Sequence, residues 1–233
     1  MLPTNCLHCL TIDFTHAAEP IRPALQFPAE EVRDLLCQAG SQGLPLMVLC
    51  GHTSLTLVST SQHHVGAFRP ILGRVRERTQ HLDGWRALPV RLASGSGAGR
   101  QLLRQALPSS RFEPEIRTFV RSLRLAAELS VTCGSFSAEL GALVRMTDHA
   151  AQRVWEETRL GRPGSSEAEI ELESLAAERI LEEELVAWQS SYPALRSSRR
   201  PVSDADIGPF DGEERHSMVR LRTASVLSKL RSA

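Results

Sequence analysis

The period of the apolar positions changes several times along the chain. Cys9-Leu-Thr-Ile-Asp-Phe14 alternates with the two-residue period of a strand. Phe27-Pro28 then opens a helix. Proline suits a first turn, Glu30 and Glu31 suit the positive end of the helix dipole, and Val32, Leu35 and Leu36 form a buried face. Gly40 is a natural stop for that helix. Leu46-Met-Val-Leu-Cys50 is a short apolar run of strand type. Gly51-His-Thr-Ser54 turns, and Leu55-Thr-Leu-Val58 continues extended, so a tight polar loop joins two strands. Arg69 to Arg78 reads as a helix and Trp85 to Leu92 as a further strand. Ser94-Gly-Ser-Gly-Ala-Gly99 is either a flexible loop or a helix start, and Arg100 to Gln105 is helical.

From Glu113 to about Thr158 the pattern is helical, with a break near Thr132-Cys-Gly134. Arg159 to Ser165 carries Gly161, Pro163 and Gly164 and reads as a linker. Ser166 and Glu169 have capping-box spacing, and the helix they open runs to about Ser190. Ala177, Leu181, Leu185 and Trp188 share one face. Ile170, Leu172, Leu175 and Ile180 make a second apolar flank, so this helix must pack on a neighbour or on a second copy of itself. Pro201 to Gly212 is polar and turn-rich, and Glu213 to Leu230 reads as a final helix. The pattern predicts an α+β fold: a small mixed or antiparallel sheet with helices over 1–160, then a long helix and a helical region over 166–233.

Composition narrows the class. At 42% hydrophobic and 23% charged, the 233 residues suit a folded globular chain. A formal net charge of zero excludes a generally basic nucleic-acid binder. All 27 basic residues except Lys229 are arginine, which fits either a GC-rich genome or bidentate phosphate contacts. No apolar run is long enough to cross a bilayer, and no signal peptide is visible. The five cysteines are odd in number and scattered. Free thiols in a reducing cytoplasm are therefore expected.

Four stretches, in order, resemble glutamyl-tRNA reductase, the first enzyme of the five-carbon route to tetrapyrroles. Thr11-Ile-Asp-Phe-Thr-His-Ala-Ala18, with Ile21-Arg22 and Leu25-Gln-Phe-Pro28, is similar to that family's opening strand and first helix. Val48-Leu-Cys-Gly-His-Thr-Ser54 stands where the family has its Ser-Thr-Cys-Asn-Arg loop. Glu113-Pro-Glu-Ile116 resembles Glu-Pro-Gln-Ile and leads to Arg153-Val-Trp-Glu-Glu-Thr158. Ile180-Leu-Glu-Glu-Glu184 with Trp188, joined by Glu213-Glu-Arg215 and Val226-Leu-Ser-Lys-Leu230, resembles the family's dimerisation helices.

The resemblance implies a loop cysteine that attacks the glutamyl ester and an NADPH that reduces the resulting thioester. Here the matching position is His52, and the following arginine becomes Ser54. Cys50 lies two residues earlier. It is either a displaced nucleophile, since an offset of two keeps the face of a strand, or a buried strand thiol. The family's helical histidine matches Gln101, and its Ser-Gly-Leu-Asp-Ser motif has become Ala106-Leu-Pro-Ser109. Between Thr158 and Glu178, about 20 residues stand where the family inserts a nucleotide-binding domain that needs on the order of 100. No Gly-x-Gly-x-x-Gly follows a strand and opens a helix there. An NADPH-dependent reductase is therefore not expected, and no NADPH is expected as cofactor.

Other constellations leave alternatives open. Cys6-Leu-His-Cys9 has metal-like spacing, so Cys6, His8 and Cys9 are either metal or haem ligands or the fraying start of the first strand. Arg117, Arg121 and Arg124 share a helix face that either meets tRNA phosphates or is solvated and paired with acids. His52, with Thr53 and Ser54, either activates water against an aminoacyl ester or only fills a vacated site. The reading that follows is a non-catalytic, reductase-like protein with a regulatory or scaffolding role, a homodimer through its C-terminal helices, whose partner is glutamyl-tRNA, an authentic reductase or another tetrapyrrole-pathway protein. An ester hydrolase or acyl transferase using His52, or a haem or metal carrier, are the alternatives.

Overall fold

A computed structural model describes residues 7–61, 64–105, 116–158, 160 and 167–191. The fold is α+β. Strands β1 (His8–Asp13), β2 (Met47–Cys50), β3 (Ser54–Ser59) and β4 (Val90–Ser94) form one sheet in the order β2-β3-β1-β4, antiparallel throughout. Helices α1 (Ile21–Leu25), α2 (Ala29–Ser41) and α3 (His64–Thr79) accompany the first half. Helices α4 (Ser96–Arg104), α5 (Ile116–Thr132), α6 (Ala138–Glu157) and α7 (Glu167–Ser191) make up the rest.

Alternation along β1 decides which layer each strand residue meets. Leu10 and Ile12 face one side, where Leu55, Leu57 and Val48 join Phe14, Leu36 and Phe68 in a core under α1–α3. Cys9 faces the other side with Val58 and Met47, in a core completed by α4–α7. Both sheet faces are covered, so apolar residues point to both sides of the strands. Helix α5 runs past the β2 edge and contributes to both cores, through Leu123 to one and Leu129 to the other. The chain leaving α5 closes that edge: Leu46 N–H donates to Ser135 O at 2.7 Å, and Ser135 Oγ donates to Leu46 O at 3.0 Å.

Several boundaries differ from the sequence reading. Trp85–Ala87 is a short 3-10 turn, and β4 starts only after Pro89, which has no N–H to give a ladder. Of the two readings of the glycine-rich run, the helix start is the one found. Gly95 (φ 57°) makes the turn, and α4 already begins at Ser96. Helix α3 starts at His64, well before Arg69, and keeps Pro70 inside at the loss of one backbone hydrogen bond. Gly40 does not end α2 either. That helix runs to Ser41, and the left-handed residue beyond it is Gly43 (φ 66°). A Cβ on Gly40 would lie 2.1 Å from the carbonyl oxygen of Cys133, so the glycine permits close approach of α2 to the end of α5.

The break near Gly134 is as expected, with φ 69° just past α5. Ser137 caps α6, accepting from Leu140 N–H at 3.2 Å. The expected capping serine of α7, Ser166, lies outside the described residues. So do the loop motif at Ala106–Ser109 and everything from 192 onward, including the expected final helix. Ala177, Leu181, Leu185 and Trp188 are buried on one face of α7, against α4 and α6. Helix α7 thus shares the core of the sheet's α4–α6 side. Ile180 is also buried, whereas Leu172 and Leu175 are exposed.

Candidate functional site

The loop at Gly51–Ser54 is the tip of a β2–β3 hairpin. Cys50 and Leu55 are cross-strand partners, and Gly51 N–H donates to Ser54 O at 2.8 Å. Phe14 N–H donates to Thr53 O at 2.8 Å, which fixes the tip beside the chain leaving β1. His52 is exposed at this tip, and its imidazole has no hydrogen-bond partner among the described residues. Asp13, the nearest strand acid, is engaged locally: its Oδ1 accepts from Thr15 N–H at 2.9 Å and from Thr15 Oγ at 2.7 Å. Arg22 donates to Thr15 O at 2.7 Å and Ala17 O at 3.2 Å, holding the same turn.

Because β2 ends at Cys50, the offset of two does not carry its face on to His52. Cys50 lies on the α1–α3 face with Leu55, beside the Phe27 backbone. Cys50 is exposed at the strand end rather than a buried strand thiol, but desolvation by the groups around its sulfur pushes the thiol up to about 11, against the lowering effect of that backbone hydrogen bond. Ser54, paired with Asp13, belongs to the opposite face.

That opposite face carries a compact polar cluster. Gln101, the position matching the family's histidine, extends from α4 and donates to Thr11 Oγ at 2.8 Å and to Arg91 O at 3.2 Å. Gln105, one turn on, donates to Thr11 Oγ at 2.9 Å. Thr56 donates to Gln105 Oε1 at 3.1 Å, and Thr11 lies 3.2 Å from Thr56 Oγ. With Thr11 donating to Thr56, the three groups close a ring in which each hydroxyl and amide has its partner. All four side chains are neutral. None can take or give a proton near neutral pH. The resemblance singled out Gln101, but only the β1–β3 pairing and α4 bring Thr11, Thr56 and Gln105 to it.

The remaining predicted positions are dispersed. His8 and Cys9 are neighbours on β1, so they point to opposite sides of the sheet and cannot hold one ion together. Cys6 lies outside the described residues. His8 Nδ1 is 2.8 Å from Ser94 Oγ, and its ring stacks on His64 at 3.7 Å between centroids. Burial, and then the neighbouring His64, lower its pKa to about 4. This His8–His64–Ser94 grouping was not legible in the sequence, because it needs the β1–β4 register and the start of α3. The Cys9 thiol is pushed up to about 12 by burial. Among the described residues no cluster of three His, Cys, Asp or Glu could hold a metal. Arg121 is exposed, and Arg124 pairs with Asp148 of α6 at 2.9 and 2.7 Å. Arg117 belongs to α5, but its side chain lies outside the described part.

Two of the family-like stretches meet in space. Arg153 on α6 donates to Glu157 at 2.7 Å, Glu184 at 2.9 Å and Glu183 at 3.2 Å, and these bonds, Glu157 first and then Glu184, raise its pKa. His149 adds a contact to Glu184 at 3.0 Å. Beside this network Gly99 of α4 lets α7 approach: a Cβ there would be 3.0 Å from Leu185 Cδ1. Arg100 reaches Glu182 at 2.6 and 2.8 Å. No described helix is long and apolar enough to cross a membrane.

No protein-family model matches the chain, and no curated protein matches it. Among solved structures it is similar to the glutamyl-tRNA reductase from Methanopyrus kandleri, with a TM-score of 0.50 and 21% identity. The match covers 78% of this chain and 47% of that one, so the chain spans about half the length of the reductase it resembles. In fold, this protein therefore resembles glutamyl-tRNA reductase.

Proposed function

We propose that this protein is a non-catalytic relative of glutamyl-tRNA reductase with a regulatory or scaffolding role. Its partner is then glutamyl-tRNA or an authentic reductase, and the setting is tetrapyrrole synthesis. One observation carries the reading. Where the resemblance implies a nucleophilic thiol and a helical histidine, the chain has a His52 with no hydrogen-bond partner among the described residues and a Gln101 whose amide N–H groups are already used by Thr11 and the Arg91 carbonyl, beside a closed, neutral ring. A site that recognises its substrate by hydrogen bonds loses it steeply when those bonds are gone. The connection supports the same reading: α6 ends at Glu157 and α7 starts at Glu167, leaving residues 158–166 where a dinucleotide domain would have to sit. A reductase-like fold without the expected nucleophile suits binding rather than turnover, and the C-terminal helices would pair two copies.

Gel-shift with glutamyl-tRNA and pull-down with a purified reductase test the proposal directly. Binding to either, without NADPH oxidation when charged tRNA is supplied, is the expected result. Failure to bind both refutes it. Deacylation of charged tRNA that is lost in His52→Ala would replace it with an ester hydrolase or acyl transferase. A haem titration that produces a Soret band would replace it with a carrier.

A further inference from the structure

We infer that Cys37 and Cys133 form a reversible intramolecular disulfide, a redox-sensitive staple between α2 and the end of α5. Their sulfurs are 2.8 Å apart, although the residues are 96 positions apart in sequence. That is within about 1 Å of the ~2.05 Å covalent bond, so closure needs only a small movement of the sulfurs. The backbone has already made the approach. Gly40, on the same helix as Cys37, abuts the Cys133 carbonyl, and Gly134 turns the chain immediately afterwards at φ 69°. Cys133 Sγ also donates to Arg33 O at 3.4 Å, which keeps it over α2. Cys37 is exposed and Cys133 is buried. Among the described residues, neither Cys9 nor Cys50 has a thiol contact of this kind.

The exposure difference assigns the order of events. The Cys37 thiolate attacks a small-molecule disulfide of the oxidised-glutathione class, forming a mixed disulfide and releasing one thiolate. The Cys133 thiolate then attacks the Cys37 sulfur, releasing the second. Two protein thiols are oxidised, one external disulfide is reduced to two thiols, and the two protons go to solvent or the leaving thiolates. Burial, and then the hydrogen bond with Cys37, push the Cys133 thiol up to about 11. Its resolving step therefore quickens about tenfold per pH unit near neutrality. The bond closes a loop of about 100 residues and joins the two helices flanking the β2 edge, so it constrains the unfolded chain strongly.

The test treats the purified full chain with oxidised glutathione. The expected product has lost two hydrogens in mass, maps to a Cys37–Cys133 peptide, and reverts with dithiothreitol. Its thermal midpoint lies about 10 °C above that of the reduced protein. Cys50→Ser keeps this behaviour; Cys37→Ser, an exposed change that leaves the fold intact, abolishes it. A glutathione adduct that persists on Cys37, a disulfide between two chains, or a cross-link that lowers the thermal midpoint would overturn the inference.

Discussion

Two glycine-to-alanine changes, chemically identical, should move stability in opposite directions. An alanine at Gly40 places its Cβ 2.1 Å from Cys133 O, 2.9 Å from Gly134 C and 3.1 Å from Gly134 O. All three are backbone atoms, which cannot rotate away. Helix α2 would have to retreat by about 1 Å from the end of α5, opening contacts made by Leu36 and Ala39. The helix-propensity gain of alanine is about 1 kcal/mol at most, whereas overpacking against fixed atoms costs about 3 kcal/mol. The net loss is about 2 kcal/mol, a fall of about 4–8 °C in thermal midpoint for a chain of this size. Gly73 is exposed within α3, with nothing within 4 Å of its would-be Cβ. Gly73→Ala should therefore gain about 1 kcal/mol. Urea unfolding of both variants, followed by far-UV circular dichroism, measures the difference. If Gly40→Ala stabilises as Gly73→Ala does, the close approach of α2 to α5 is refuted, and with it the geometry behind the Cys37–Cys133 pair.

Three further outcomes are expected. Leu185→Ala, which empties a fully buried position facing α4, should cost about 2–5 kcal/mol, while exposed Leu175→Ala stays within about 0.5 kcal/mol; equal effects in urea unfolding would mean that α7 is not seated on the core. Thr11→Val removes the acceptor shared by Gln101 and Gln105 and should cost about 1–3 kcal/mol, with Thr11→Ser recovering most of it; no loss at valine would contradict the closed ring. His8 has a folded pKa of about 4 against an ordinary 6.5. Between those values the unfolded chain binds a proton that the folded chain refuses, so stability should fall as pH drops through that window and be unaffected by His8 above it. Urea midpoints measured from pH 7 to 4 should flatten in His8→Gln, and an unchanged slope in that variant would assign the acid sensitivity elsewhere.

The functional reading depended on residues whose meaning was only partly legible in the chain. The hairpin tip at Gly51–Ser54 could be found from the two flanking apolar runs and the polar turn residues, because hairpin pairing is local. The register that sets Cys50 on the α1–α3 face could not, since it is decided by where β2 stops and pairs with β3. The spacing of Cys6, His8 and Cys9 suggested a common ligand. One strand with a period of two separates His8 from Cys9 by the thickness of the sheet. The arginine face on α5 was visible as a helical stripe, but Arg124's partner, Asp148, comes from a different helix.

Sequence alone determined the α+β character, the apolar strands, the break after α5, and the buried face of α7. These follow from local period, turn chemistry and the need to remove apolar surface from water. Tertiary structure alone decided that α7 joins the sheet's own core, that Gly40 and Gly99 are contact points rather than stops or loops, and that Cys37 meets Cys133. It also decided that Thr11, Thr56, Gln101 and Gln105 satisfy one another. Each of these depends on a pair of segments far apart in the chain. Their approach is set by the packing of both sheet faces at once, a condition that no single stretch of residues contains.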